Sequence, residues 1–141
     1  MKSTIKVLTL GVTDLEKSLA FYREGLGLAS KGIIGTEFED GAVALFDMND
    51  GDVILSLFPR SSLAKDANIP VAPASATEFS IGHFVGSKKS VDEVMARAKK
   101  AGATITDPAK DRFWGGYSGY FQDLDGHLWE VGWNAALGIE D

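Results

Sequence analysis

Apolar residues follow two kinds of spacing along this chain, and the two alternate in a regular order. Residues 5–12 alternate loosely and are rich in Val, Ile, Thr and Leu, which predicts a half-buried strand. Over 15–26 the apolar residues recur at helical spacing, which predicts an amphipathic helix. Residues 33–58 form short apolar runs separated by Asp-Gly and Asn-Asp-Gly turn formers, which predict three antiparallel strands.

The same order of elements recurs in the second half of the chain. Residues 78–85 predict a strand, the apolar positions of 91–101 predict a helix, and 103–133 predicts three more strands around Asp125-Gly126. Capping-box patterns that begin at Thr13 and Ser90 mark the two predicted helix starts. The sequence therefore predicts an α+β fold of two βαβββ modules.

The module boundaries follow from these patterns. The segment after residue 58 has three prolines, small polar residues and no sustained period, so we expect a linker or surface loop there. We predict a single domain over 1–141, made of module one (1–58), a linker (59–76), module two (77–134) and a C-terminal tail (135–141).

Composition narrows the classes of function. The chain has 45% hydrophobic residues, enough for a core, and no cysteine, which excludes disulfides, thiolate nucleophiles and cysteine metal ligands. Its formal net charge of −6 disfavours nucleic acid and anionic membranes as partners. No apolar run is long enough for a transmembrane helix, and we expect a cytoplasmic protein.

The most informative stretch is 113–133, which holds all three tryptophans. Its second strand alternates, so one side should carry Trp129, Val131 and Trp133, and the other should carry Leu128, Glu130 and Gly132. Glu130 is thus a carboxylate on a mostly apolar face. Such a group needs a partner, whether a metal, a hydrogen-bond donor, a cation or a proton.

Three stretches give the chain a resemblance to a known family. These are TLGVTDLEKSLAFYREGLGL at 9–28, EFSIGHFV at 78–85 and GYFQDLDGHLWEV at 119–131. The chain resembles the superfamily of glyoxalases, bleomycin-resistance proteins and extradiol dioxygenases, although Leu124 stands where this hairpin usually has Pro. The resemblance implies a curved mixed sheet that forms a cup with helices outside, a small-molecule ligand in the cup, and a homodimer.

The resemblance also implies four metal-ligand positions, two in each module. Carried over one at a time, they fall on Val7, Ser56, Ser80 and Glu130. Only Glu130 could coordinate well, and one carboxylate is a poor ligand set for Zn²⁺, Ni²⁺ or Fe²⁺. We therefore expect no cofactor and no divalent metal. By strand alternation His83 faces the helix and His127 is out of phase with Glu130, so both are predicted to be structural or surface residues.

The candidate ligand-binding residues combine this face with the aromatic loop. Trp114 lies beside two glycines, where its ring could cover the mouth of the cup. Trp129 and Trp133 are predicted to be core, and the charged residues of 107–112 to be solvated. The predicted ligand-binding set is Thr9, Ser56, Phe58, Ser80, Trp114, Tyr117, Tyr120 and Glu130, with Glu130 also the candidate catalytic base or anchor.

Two functions remain open from the sequence. The first is a metal-independent protein that binds an apolar or aromatic small molecule, with Glu130 as its polar anchor. The second is an enzyme, either a lyase or isomerase with Glu130 as general base, or a metal-dependent glyoxalase or dioxygenase with Glu130 as a ligand. A scaffold role within a larger assembly is a third possibility.

Overall fold

The computed structural model describes residues 1–141, which divide into two compact units, Met1–Pro73 and Ala74–Asp141. Each unit contains a four-stranded mixed sheet, and the fold is α+β as predicted. The boundary between the units lies within the predicted linker. None of the helices is both long enough and apolar enough to cross a membrane.

The first unit is the βαβββ module expected from the sequence, followed by one more helix. Its elements are β1 (Val7–Val12), α1 (Leu15–Ala20) with a π-helical turn after it (Phe21–Gly25), β2 (Ile33–Ile34), β3 (Val43–Met48), β4 (Val53–Pro59) and α2 (Arg60–Ala67). The strand order is β1-β4-β3-β2, with β1 parallel to β4 and the other pairs antiparallel.

The core of the first unit lies between α1 and its sheet. Leu10, Leu55 and Leu57 are almost fully buried, and they share one face because the strand register aligns β1 with β4. The ring of Tyr22 packs with its centre 5.9 Å from that of Phe46. Alternate residues of the same strands, such as Thr9 and Ser56, therefore lie on the face away from α1.

The second unit has the same topology. Its elements are β5 (Ser80–Phe84), α3 (Lys88–Ala101), β6 (Thr104–Asp111), β7 (Tyr117–Gln122) and β8 (Leu128–Trp133), with the strand order β5-β8-β7-β6. Helix α3 packs against β6, β7 and β8 through its buried residues Val91, Met95 and Ala98. Opposite them, the rings of Phe121 and Trp129 stack with centres 6.0 Å apart.

Both helix starts differ from the capping boxes that the sequence suggested. The Asp14 carboxylate, and not the Thr13 hydroxyl, accepts the capping hydrogen bond of α1, from the Lys17 amide at 3.0 Å. Helix α3 begins earlier than predicted because Ser87 is its cap and accepts from the Ser90 amide. In both cases an alternative Ser, Thr or Asp nearby satisfies the same exposed amides.

Two segments expected to be irregular are ordered by contacts that local sequence does not reveal. Helix α2 lies inside the predicted linker and packs on β1 and β4, with Ala64 buried. The predicted tail 135–141 returns to the start of α3, where the Asp141 carboxylate accepts a 2.7 Å hydrogen bond from the Gly86 amide. Hydrogen bonds from Ser90 and the Gly86 amide hold the pKa of this carboxyl below its usual value.

Candidate functional site

The face of the second sheet opposite α3 carries the candidate site, and we call it the site face. Strand register places three rows of side chains on it, from β5, β8 and β7. The rows are Ser80, Gly82 and Phe84; Leu128, Glu130 and Gly132; and Ser118, Tyr120 and Gln122. Glu130 is at the centre of this face, as the alternation of the sequence predicted.

A tight turn between β7 and β8 fixes the register that places Glu130 on this face. The Asp123 carboxylate accepts hydrogen bonds from the amides of Asp125 at 3.0 Å and His127 at 2.8 Å. Gly126 has a φ of 87°, a conformation that glycine adopts without strain. Leu124 therefore occupies the usual proline position without disturbing the turn.

Tyr120 is the direct cross-strand neighbour of Glu130. Side chains in such a pair start only about 5 Å apart at Cβ, so the phenol and the carboxylate lie side by side. Burial raises the pKa of the Tyr120 hydroxyl, and the Glu130 charge and hydrogen bonding to its carboxylate raise it further. The hydroxyl is therefore protonated at neutral pH and can donate a hydrogen bond.

An aromatic pair borders the same face. The Phe84 ring covers Gly82 and Gly132, which have no side chains of their own. A Cβ atom at Gly132 would come within 2.7 Å of the ring. The Trp114 ring lies with its centre 6.5 Å from that of Phe84, and Trp114 remains 38% exposed. The structure thus brings the loop tryptophan to the edge of the site face, beside an aromatic residue that the sequence did not single out.

The charged run before this loop is not fully solvated, contrary to expectation. Strand β6 extends through most of this run to Asp111, and Asp107 pairs with Tyr120 across the strands. The Arg112 side chain is only 15% exposed and contacts both Asp107 and Ser118. Hydrogen bonds from Lys110 and Arg112 hold the pKa of the Asp107 carboxyl below its usual value.

Tyr117 does not lie on the site face. It is opposite Trp133, on the α3 side of the sheet, and its hydroxyl donates a 2.6 Å hydrogen bond to the Asp92 carboxylate of α3. The Lys88 ammonium lies 5.4 Å from the Tyr117 ring centre and 5.8 Å from that of Trp133. The structure therefore separates Tyr117 from the other candidate residues of its loop.

The remaining candidates belong to the first unit. Val7, Thr9, Ser56 and Phe58 all lie on the face of its sheet away from α1, as predicted. Next to them is an open cavity of about 480 Å³ whose lining combines apolar and charged side chains. It is lined by Ala29, Ser30, Lys31, Gly32, Ile34, Leu45 and Asp47.

Both histidines lie away from Glu130. His83 pairs with Val131, so it is on the opposite face of the sheet, and it is exposed. His127 belongs to the turn, where its backbone amide bonds to Asp123. Their positions agree with the alternation argument and leave the carboxylate without an imidazole neighbour.

Comparison with known proteins agrees with the two-module architecture. The family model described as "Glyoxalase/Bleomycin resistance protein/Dioxygenase superfamily" matches residues 4–131. The chain belongs to this superfamily. The match covers seven of the eight strands completely and β8 as far as Val131, with Glu130 included. The resemblance inferred from the three sequence stretches is therefore confirmed.

Several known proteins are similar to the chain over nearly all its length. A glyoxalase-related enzyme from Fulvimarina pelagi is 32% identical with a TM-score of 0.81, covering 95% of this chain and 90% of that one. The glutathione transferase FosA of Serratia marcescens is 28% identical over 93% of this chain and 81% of its own length. A lactoylglutathione lyase from Agrobacterium tumefaciens is 25% identical, with a TM-score of 0.70 over 99% of this chain and 100% of that one.

The residues at the superfamily's metal-ligand positions do not fit a divalent ion here. Val7 offers no donor atom, and Ser56 and Ser80 offer only neutral hydroxyls. No group of three or more His, Asp or Glu side chains comes together in the structure to hold a metal. Glu130 is therefore the one carboxylate among these four positions, and its cross-strand neighbour is the Tyr120 phenol.

Sequence reasoning missed Arg112 and Phe84, for different reasons. Phe84 has the same strand parity as Ser80, and this signal could have placed it on the site face. Arg112 gave no such signal, because strand β6 has two register shifts between Ile105 and Lys110 that break the alternation. Its position depends on the fold.

Proposed function

We propose that this protein binds an apolar or aromatic small molecule without a metal ion, and that the ligand contacts the site face with Glu130 as its polar anchor. The observation that carries the proposal is the composition of this face. A carboxylate and a proton-donating phenol stand beside the Phe84 and Trp114 rings, on a face of the sheet that carries no helix.

The charge of the surroundings favours a cationic guest. Glu130 and Asp107 flank Tyr120 on adjacent strands, whereas the Arg112 guanidinium is already bound to Asp107 and Ser118. The net charge of the chain is −6. A planar aromatic cation could stack on the exposed Trp114 ring and place its charge near the carboxylate.

A binding experiment with a cation and an anion tests the proposal. Proflavine, a planar aromatic cation, should quench the Trp fluorescence, whereas the aromatic anion ANS should bind more weakly. We expect Glu130→Gln to weaken proflavine binding by about tenfold, which corresponds to about 1.4 kcal/mol. Glu93→Gln, which changes an exposed carboxylate of α3, is the matched control.

Two results would overturn this proposal. One is the absence of Trp quenching by both dyes at millimolar concentration. The other is equal proflavine affinity in the wild-type protein and in Glu130→Gln, because the carboxylate would then not be the anchor. A homodimer, expected from the resemblance, stays a prediction that light scattering would check.

The second candidate function is an enzyme of lyase or isomerase type. It is favoured by the similarity to the lactoylglutathione lyase and by the pairing of Glu130 with Tyr120. In such a reaction the carboxylate would remove a proton next to a carbonyl, and the phenol would donate to the carbonyl oxygen. Near-complete loss of turnover in Glu130→Gln, with binding retained, would favour this function.

Metal content separates the proposal from a metal-dependent enzyme. Elemental analysis of protein purified without chelators or a metal-affinity tag should find no stoichiometric metal. Ni²⁺, Zn²⁺, Mn²⁺ and Fe²⁺ should leave the melting temperature unchanged, because an ion that binds only the folded state would raise it. A shift of several degrees would instead favour the metal-dependent alternative.

A further inference from the structure

We infer that Arg112 is a positioning residue of the proposed ligand site, which holds the Tyr120 ring in place opposite Glu130. The inference rests on the proposed function and names a residue that determines the geometry of the anchor without contacting the ligand itself.

The guanidinium is fixed on two sides by oxygen atoms. Its Nε donates to the Ser118 hydroxyl at 2.9 Å, and its Nη2 donates to the Ser118 carbonyl at 2.8 Å. Its Nη1 donates to the Asp107 carboxylate at 3.0 Å. Ser118 is fully buried and Arg112 is 15% exposed, so this fork has little freedom to move.

The guanidinium also lies over the ring of Tyr120. The central carbon of Arg112 is 5.4 Å from the centre of the phenol ring, within the range of a cation–π contact. Tyr120 is the cross-strand partner of Asp107 on one side and of Glu130 on the other. Arg112 therefore contacts both Asp107 of the edge strand and the Tyr120 ring. The Tyr120 ring is in turn the cross-strand neighbour of the Glu130 carboxylate.

This arrangement needs an arginine. A planar fork can bind two oxygen positions and stack on an aromatic ring at the same time, whereas a lysine ammonium is a compact point charge that does one or the other. The register shifts of β6 next to Asp107 leave that part of the edge strand irregular. The guanidinium connects Asp107 to β7 where the regular ladder is interrupted, and so keeps Tyr120 in one orientation.

The pairing of Tyr120 with Glu130 gives a measurable quantity, the change in the pKa of Tyr120 when the Glu130 charge is removed. A change in fold stability alone would not alter this quantity. Burial raises the pKa of the Tyr120 hydroxyl, the Glu130 carboxylate raises it further, and the Arg112 charge lowers it. If Arg112 only supplies charge, removing the Glu130 charge should shift the pKa of Tyr120 equally with or without Arg112. If Arg112 holds the ring in place, that shift should depend on Arg112.

The experiment is a double-mutant cycle on protein labelled with ¹³C at tyrosine Cζ. The Tyr120 signal is assigned with Tyr120→Phe, and its pKa is measured in wild type, Arg112→Lys, Arg112→Met and Lys110→Met, each with and without Glu130→Gln. We expect Glu130→Gln to lower the pKa of Tyr120 in wild type and in Lys110→Met. In both Arg112 variants this downward shift should be largely lost.

Lys110→Met is the matched control, because Lys110 also contacts Asp107, at 3.1 Å, but does not touch the ring. An equal shift in all four backgrounds would overturn the inference. Should Arg112→Met not fold, Arg112→Lys retains the charge and carries the test by itself. Circular dichroism of each variant reports folding.

The result of the tyrosine titration does not depend on whether the proposed binding function is correct. The tyrosine titration needs no ligand, so the cycle is informative even if proflavine does not bind. If proflavine binds to wild type, we expect Arg112→Lys to weaken it and Lys110→Met to leave it unchanged. Proflavine binding that is unaffected by Arg112→Lys, together with an equal pKa shift, would leave the binding function in place and remove Arg112 from it.

Discussion

The two repeat units differ in chemistry at positions where their backbones agree. In the first sheet, Ser56 lies between Thr9 and Leu45 on the neighbouring strands. At the equivalent place in the second sheet, Glu130 lies between Gly82 and Tyr120. One face thus carries two hydroxyls and a leucine, and the other carries a carboxylate, a phenol and a glycine covered by the Phe84 ring.

The rows that face α1 and α3 differ much less. Leu55 and its neighbour Phe46 in the first unit correspond to Trp129 and Phe121 in the second, and all four are buried. These rows are constrained by burial of apolar area, whereas the opposite rows are free to change. The comparison indicates that the repeat determines the framework, whereas the chemistry of the face away from the helix differs between its two copies.

The largest expected effects come from breaking the buried rows. Trp129→Ala should cost about 3–5 kcal/mol of unfolding free energy, and Leu55→Ala about 2–5 kcal/mol, because each leaves a cavity in a packed core. Urea denaturation measures both. Leu124→Ala, at a residue that is 47% exposed, is the control and should change stability by about 0.5 kcal/mol at most. A Trp129→Ala variant as stable as this control would show that the second core is not packed as described.

A smaller effect is expected where the second unit has a buried polar residue. The Ser118 hydroxyl accepts from the Arg112 Nε, and Ser118→Ala should destabilise the fold by about 1–2 kcal/mol, because the bond involves a charged donor. Ser62→Ala in the first unit is the matched control, since its hydrogen bond to Asp40 is 3.4 Å long and weak. If Ser118→Ala and Ser62→Ala lowered the free energy of unfolding equally, the buried hydrogen bond of Ser118 would not distinguish the second unit from the first.

The smallest effect concerns alkaline pH. The pKa of Tyr120 is raised in the folded protein, so folding favours the protonated phenol. The resulting stability is fully present below the unfolded pKa of about 10 and is lost as pH rises through the folded value. Tyr120→Phe should therefore show a shallower loss of stability above that pH than wild type in urea titrations. An identical slope in the two proteins would argue against this environment for Tyr120.

Much of the fold could be predicted from the sequence because its signals are local. The period of apolar residues located α1, α3 and most strands, and the turn formers around Gly126 located the hairpin. Glu130 could be placed on the correct face because side-chain alternation is a property of the strand itself. The helix caps were wrong because several Ser, Thr and Asp residues compete for each helix start.

The rest of the candidate site could not be predicted because it depends on contacts between distant strands. Tyr117 and Tyr120 belong to one strand and differ by three positions, so they lie on opposite faces. The sequence prediction grouped them by their closeness to the aromatic loop. Arg112 was missed because its partners, Asp107 and Ser118, come together only when an irregular edge strand pairs with β7.

The sequence by itself determined the duplicated α+β framework and the lone carboxylate of its last strand, since periodicity, turn chemistry and strand parity act over a few residues. Only the tertiary structure decided which side chains meet that carboxylate. The order and register of the strands bring Tyr120 beside Glu130, and Arg112 beside Tyr120. Such contacts depend on pairing between strands, and no local pattern along one strand specifies them.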